Sequence, residues 1–252
     1  MPDELYQGMI KYELQRGNYF KALTLMDQNY QTDHLVDKII ALKGFNINED
    51  VEQLLESFHQ KEKKNKSKNS ANNSVDYFQI GRLEYQAGRC KPALRAFKKV
   101  KRKLSIDDKQ EWAFYRANCF IRLGSNERAR QVLNDTLDGV WASQAYYNLA
   151  MSYESKSRNK SSALKSLKLA LLLNKGKNFV EVALQNQTNF AVGALYLDAD
   201  KPDLAINFFK KIYLDAAIAP EALYLNGLAK LELNDFRSAT QSWLSVKKYP
   251  LI

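Results

Sequence analysis

The chain has 252 residues, 45% of them hydrophobic, and a formal net charge of +10 from 38 Lys+Arg against 28 Asp+Glu, the make-up of an ordinary globular chain with room for one or two domains. No run approaches the ~18 consecutive apolar residues of a membrane-spanning helix, which argues against an integral membrane protein. Two cysteines cannot staple a disulfide scaffold, and two histidines, His34 and His59, leave little material for a zinc site or a His-based catalytic centre.

The opening MPDELYQGMIKYEL is already an amphipathic helix and lacks the charged and apolar regions of a secretory signal. The expectation is a cytosolic protein, or a segment of a longer chain. LYQGMIKYELQRGNYFKALTLM reads as a helical pair with Tyr6, Gly17, Ala22 and Met26 at its key positions. Residues 34–58 read as a less typical pair turning around Gly44 to Asn48, so 1–58 forms an N-terminal helical region. Residues 59–74 (HQKEKKNKSKNSANNS) hold five Lys and one Glu, and such a composition cannot bury a core; this is the expected linker. A second basic cluster, Lys98, Lys99, Lys101, Arg102 and Lys103, falls at a predicted helix C-terminus, where cations complement the helix dipole. It reads as solvated charge, with an anion-binding patch as the alternative.

From residue 75 to 252 small residues recur with large ones at a period near 34. The sets are Gly81, Gly88, Ala93, Phe97; Ala117, Gly124, Ala129, Leu133; Ala150, Ser157, Ala163, Leu167; Gly193, Asp200, Ala205, Phe209; and Gly227, Asn234, Ala239, Trp243. Each set predicts two antiparallel helices whose closest approach needs a small side chain on each, Gly81 with Ala93 in the first. The large residue four positions on, such as Phe97 or Phe209, is expected to fill the next groove. Each pair buries one face, so neighbours must stack. Pro92, Pro202 and Pro220 sit where helices should begin and Pro250 where one has ended. The third turn, Ser157 to Ser161, is one residue longer than the others, and the fourth repeat follows a longer joint, Leu173 to Gln185.

This pattern of five repeats in phase resembles the tetratricopeptide repeat family over roughly the last 70% of the chain. The resemblance implies an all-α, right-handed superhelical array of antiparallel helix pairs. Arg116 and Asn226 depart from it at a position that is usually apolar. The strings NYFKALTLM and FRSATQSWLSVKKYP resemble a largely uncharacterised proteobacterial cell-envelope group of such repeats. That implies a periplasmic or envelope location for a segment lacking its signal; the alternative is cytoplasmic. The last predicted helix, with Trp243, Leu244 and Val246, has no polar capping helix after it, so the expectations are further natural chain, or docking of this end on a partner or on a second copy.

The sequence holds no GxGxxG or GxxxxGK[ST] phosphate loop, no GxSxG elbow and no CxxC. Cys90 and Cys119 read as free buried thiols, or as one bridge in an oxidising compartment. The expectation is a non-enzymatic protein with no catalytic residues, metal or cofactor. The candidate site is instead a surface. The first helix of each pair should line a concave groove, with inward positions at i, i+3 or i+4, and i+7 or i+8. That places Phe78, Phe114, Tyr147, Phe190 and Tyr224 at one level, Arg82, Asn118, Met151, Ala194 and Leu228 four later, and Tyr85, Ile121, Glu154, Leu197 and Leu231 at the next turn. The candidate groove residues are Phe78, Arg82, Tyr85, Phe114, Asn118, Arg122, Tyr147, Met151, Phe190 and Tyr224. Aromatics and Arg dominate interface hot spots, so the leading expectation is a scaffold that binds a peptide or protein partner, with Arg82 and Arg122 setting register. The Lys, Asn and Arg pattern by which some family members bind acidic chaperone tails is missing. The alternatives are nucleic-acid binding, suggested by the net charge and by EWAFYRANCFIR, and self-association through the C-terminal end.

Overall fold

The computed structural model describes residues 3–28, 35–44, 51–57, 60, 77–100, 104–134, 139–157 and 159–249. All regular structure among them is helical. In order these are α1 (Asp3–Gln15), α2 (Tyr19–Gln28), α3 (Leu35–Gly44), α4 (51–57), α5 (Tyr77–Gln86), α6 (Cys90–Lys98), α7 (Ile106–Arg122), α8 (Asn126–Asn134), α9 (Val140–Ser157), α10 (Lys160–Leu173), α11 (Phe179–Leu197), α12 (Pro202–Phe209), α13 (Ala219–Glu232) and α14 (Phe236–Val246). The fold is therefore all-α, as the repeat pattern predicts. Apart from Gln60, the expected linker at 59–74 lies outside the described residues, as do the turn at 45–50, Lys101 to Lys103 and Pro250.

The chain divides into two compact units, Met1–Ile80 and Gly81–Ile252, with the division inside α5. In the first unit, α1 and α2 close over Ile10, Ala22, Leu25 and Met26, so the predicted N-terminal pair is in register at Ala22 and Met26. The Tyr19 ring lies against Gly44 and brings α3 onto α2.

In the second unit each helix packs on the next, and first helices also pack on first helices: α7 on α9, α9 on α11, α11 on α13. The small-residue positions show why. The Phe97 ring occupies the notch at Gly81, Phe209 the notch at Gly193, and Trp243 the notch at Gly227; a Cβ on Gly193 would lie 2.6 Å from Phe209 Cε1. This corrects one expectation: the large residue fills the notch of its own pair, not the next groove. Side-chain volume is conserved across the contact. Phe or Trp faces Gly, whereas the smaller Leu133 and Leu167 go with Ala117 and Ala150, all four fully or almost fully buried. Close packing at interior density requires this compensation.

The turns inside the pairs share one hydrogen-bond pattern. The amides of Asn18, Arg89, Ser125, Lys201 and Asp235 donate to the carbonyls five residues back, Glu13, Glu84, Phe120, Tyr196 and Lys230. The residue before each of these has positive φ: Gly17, Gly88, Gly124, Asp200 and Asn234. This is the Schellman closure, which needs one left-handed residue; Gly adopts it freely, and Asp and Asn tolerate it. In the third repeat the amide of Asn159 reaches six residues back, to Tyr153, so the expected extra residue is accommodated in the turn. The second helix of each pair then starts alike: the amides of Ala22, Ala93, Ala129, Ala163, Ala205 and Ala239 bond the residue four before them. Pro202 opens α12 and Pro220 is the second residue of α13, positions where a missing amide costs nothing.

Candidate functional site

The first helices stand side by side, and this decides which predicted groove residues can meet a partner. Phe78 is fully buried and Phe114 is 6% exposed. The Phe114 ring lies 4.9 Å from Trp141 on α9 and 5.5 Å from Tyr115. Both rings are enclosed rather than on an open surface; for Phe114 the reason is that the aromatic level of α7 falls in the seam with α9. Phe190 is half-buried, 6.2 Å from Phe209, and Tyr147 is half-buried against the core between α9 and α13. Tyr224 is 53% exposed, since no described first helix packs beyond α13.

The next level is a polar lattice. Arg82 pairs with Glu111 of α7 at 3.3 Å, and Glu111 also accepts from the Tyr115 hydroxyl at 2.7 Å. Burial, and then that acceptor, push the Tyr115 hydroxyl up to about 12. Asn118, expected to face the groove, is buried. It donates to the Phe114 carbonyl at 3.0 Å and accepts from Asn148 of α9 at 2.9 Å. A side-chain amide in a seam must be satisfied there, so it acts as a strut between repeats.

Beyond the struts the seam opens. Ile121 and Arg122 of α7 and Asn148, Met151, Ser152, Glu154 and Ser155 of α9 line a hollow of about 560 Å³. Two predicted residues, Arg122 and Met151, meet here. Arg122 is held by Tyr85: its guanidinium carbon sits 4.5 Å from the ring centroid and its Nη2 lies 3.5 Å from the hydroxyl. A guanidinium on an aromatic face keeps its charge while its position is restrained. Burial raises the Tyr85 hydroxyl above its ordinary range, with the Arg122 charge opposing. Burial, then the field of Glu154, raises that of Tyr147. Both hydroxyls thus stay protonated at neutral pH. Ser152 is oriented by donating to Asn126 of α8 at 2.9 Å. Asn148, Ser152 and Ser155 were missed by the sequence reading, although their spacing of four and three residues around Met151 marks one helical face.

Tyr224 belongs elsewhere. With Trp243, Val246, Lys247 and Tyr249 it lines a second hollow of about 370 Å³, where Trp243 Nε1 donates to the Tyr224 carbonyl at 3.1 Å. The predicted ladder therefore divides between the core, a hollow at α7 and α9, and another at α13 and α14.

Cys90 and Cys119 are free and buried; burial, then a hydrogen bond with Cys90, push the Cys119 thiol far up, which makes it unreactive. Among the described residues no three His, Cys, Asp or Glu side chains gather as a metal cage requires, and no helix is long and apolar enough to cross a membrane.

No protein-family model matches the sequence, and no curated protein matches it. Solved structures do. RapI in its apo form aligns over 97% of this chain and 75% of its own, at 13% identity and a TM-score of 0.59. MamA covers 69% of this chain and 94% of its own at 22% identity, TM-score 0.49. A putative kinesin light chain from Podosopora anserina, with nearly identical TPR-like repeats, covers 68% and 92% at 12% identity, TM-score 0.45. The fold likeness rests on RapI, and with the repeat geometry described above it leads to one conclusion: the chain has the all-α fold of the tetratricopeptide repeat proteins.

Proposed function

We propose that the protein is a non-enzymatic scaffold that binds a peptide segment of a protein partner at the α7–α9 hollow. The observation that supports this is the hollow itself. Ile121 and Met151 supply apolar lining, Arg122 comes from α7 and Glu154 from α9. A recess of this size accepts one or two large apolar side chains, and opposite charges at its mouth orient the segment. The polar groups that line it are tied to the scaffold before any ligand arrives: Asn148 through Asn118, Ser152 through Asn126, and Arg122 through Tyr85. Such preorganisation reduces the ordering cost of association. Tyr85, Arg122, Asn148 and Met151 are the contact residues of this reading.

The test is selection of peptides from a random display library against the full chain, followed by calorimetric titration. Selected peptides should share an apolar anchor beside an acidic residue. Their affinity should fall about tenfold or more, equivalent to ~1.4 kcal/mol, in Met151→Lys and in Arg122→Glu. Selected peptides that bind both variants as well as wild type would refute the assignment. A library that yields no binder would also count against it.

A further inference from the structure

Antiparallel pairing puts all turns within repeats at one edge of the second unit and all joints between repeats at the other. The joint edge of repeats three to five leaves five large apolar side chains exposed, Leu172 at 77%, Phe179 at 86%, Val180 at 65%, Tyr213 at 56% and Leu214 at 67%, whereas the turn edge has one of this degree among the described residues, Phe236 at 62%. Among them lie Lys175, Lys177, Lys210, Lys211, Lys247 and Lys248, all exposed, against one acid among the described residues outside the helix starts, Asp215. The turn edge of the same repeats is mixed instead: Asp198, Asp200, Asp203, Glu232 and Asp235 are exposed there beside Lys160, Lys201 and Arg237, and Lys160 pairs with Asp198.

The apolar tips are held out by the fold. In the joint before α11, Asn174 donates to the Glu181 carbonyl at 2.7 Å and accepts from the Gly176 amide at 2.9 Å. The Lys177 amide donates to the Glu181 carboxylate at 2.9 Å, and Asn178 caps α11. The joints also adjoin one another. The Tyr213 amide donates to Asn186 of α11 at 3.2 Å, and the Tyr249 hydroxyl donates to the Leu214 carbonyl. Lysines at helix C-termini complement the helix dipole, which accounts for Lys210, Lys211, Lys247 and Lys248. The same holds for Lys175, which follows the C-cap of α10. The dipole does not account for Lys177 inside the joint, nor for five large apolar side chains left in water.

We propose that this edge attaches the protein peripherally to an anionic lipid bilayer. Protruding aliphatic and aromatic tips enter the boundary between headgroups and acyl chains, while the flanking lysines meet anionic headgroups. Charge complementarity selects the occupant's sign, and the side-chain types select its class. Leu172, Val180 and Leu214 offer no face on which a base could stack, so a bilayer fits better than a nucleic acid.

The test is co-sedimentation of the full chain with phosphatidylcholine vesicles, with and without phosphatidylglycerol. The chain should pellet with the anionic vesicles and not with the neutral ones, and salt should weaken the binding. Leu172→Asp with Phe179→Asp should lower partitioning about tenfold or more. Replacing Lys175, Lys177, Lys210 and Lys211 with Gln should lower it several-fold. Lys201→Gln with Phe236→Asp, at the turn edge, should leave it unchanged. All these side chains are exposed, and circular dichroism verifies that each variant keeps its helicity. No pelleting with anionic vesicles, equal pelleting with neutral ones, or an equal loss in the turn-edge variant would overturn the proposal. So would binding of a single-stranded oligonucleotide through the same lysines in the absence of vesicle binding.

Discussion

The two edges of the repeat array obey different rules. At the turn edge of the second unit, four of the five helix pairs close with the same hydrogen bond from one amide to the carbonyl five residues back. At the joint edge, lengths and chemistries differ from repeat to repeat: the joint before α9 and that before α11 share no sequence pattern. The turn edge closes each pair and is under a local steric rule. The joint edge sets only how one pair stacks on the next, so it is free to vary and to carry other functions.

The comparison predicts where substitutions hurt. The largest effect should come from Glu84→Ala. Glu84 is fully buried, pairs with Arg89 at 2.6 Å, and its carbonyl accepts the Arg89 amide. The Arg89 side of the pair is 31% exposed, so the loss is that of a hydrogen bond between charged groups, and a drop of about 1.5–3 kcal/mol in denaturant unfolding is expected. Gly193→Ala comes next. Its new methyl meets the Phe209 ring, an overpacking that costs roughly 1–3 kcal/mol. Gly193→Ala combined with Phe209→Leu should recover part of the loss, because that pairing is the one seen at Ala117 and Ala150.

Smaller effects of opposite sign are expected at the left-handed residues. Gly88 has φ 77° and Asn234 has φ 61°. Gly88→Ala should destabilise by about 1 kcal/mol, and Asn234→Gly should be neutral to stabilising by a few tenths. Thermal unfolding of the two variants measures both. The smallest effect concerns pH. Asp235 caps α14 by accepting the Ser238 amide at 3.1 Å, and hydrogen bonds from the Ser238 side chain and backbone hold its carboxyl below the ordinary range. A depressed folded-state pKa contributes stability above the unfolded value, and that contribution is lost as pH falls through the folded one. The difference in melting temperature between wild type and Asp235→Asn should therefore be present near neutral pH and vanish in strong acid.

Much of the turn edge was legible in the sequence. Gly88, Gly124, Asp200 and Asn234 fall at one register position, and the longer third turn shows as one residue too many before Ala163. These are consequences of local sterics, which a linear pattern records. The site was less legible. The register put Phe114 and Tyr224 at one level, yet one is enclosed by Trp141 and the other lies open, because exposure there depends on whether another first helix packs alongside. Asn118 reads as a polar groove residue until Asn148, thirty positions away, is found to satisfy it. Phe179 falls inside the predicted joint Leu173 to Gln185, whereas it opens α11. Only the joint network around Glu181 shows that it is held outward.

The most direct test of the binding site follows the methyl of Met151. The chain has four methionines, so ¹³C-methyl-methionine NMR of the full protein gives a small set of assignable signals. Met151 lines the hollow, whereas Met9 and Met26 pack within the first unit. During titration with a library-selected peptide, the Met151 signal should shift to saturation in step with calorimetric binding, while those of Met9 and Met26 stay in place. A peptide that binds while the Met151 methyl remains unmoved would contradict the assignment.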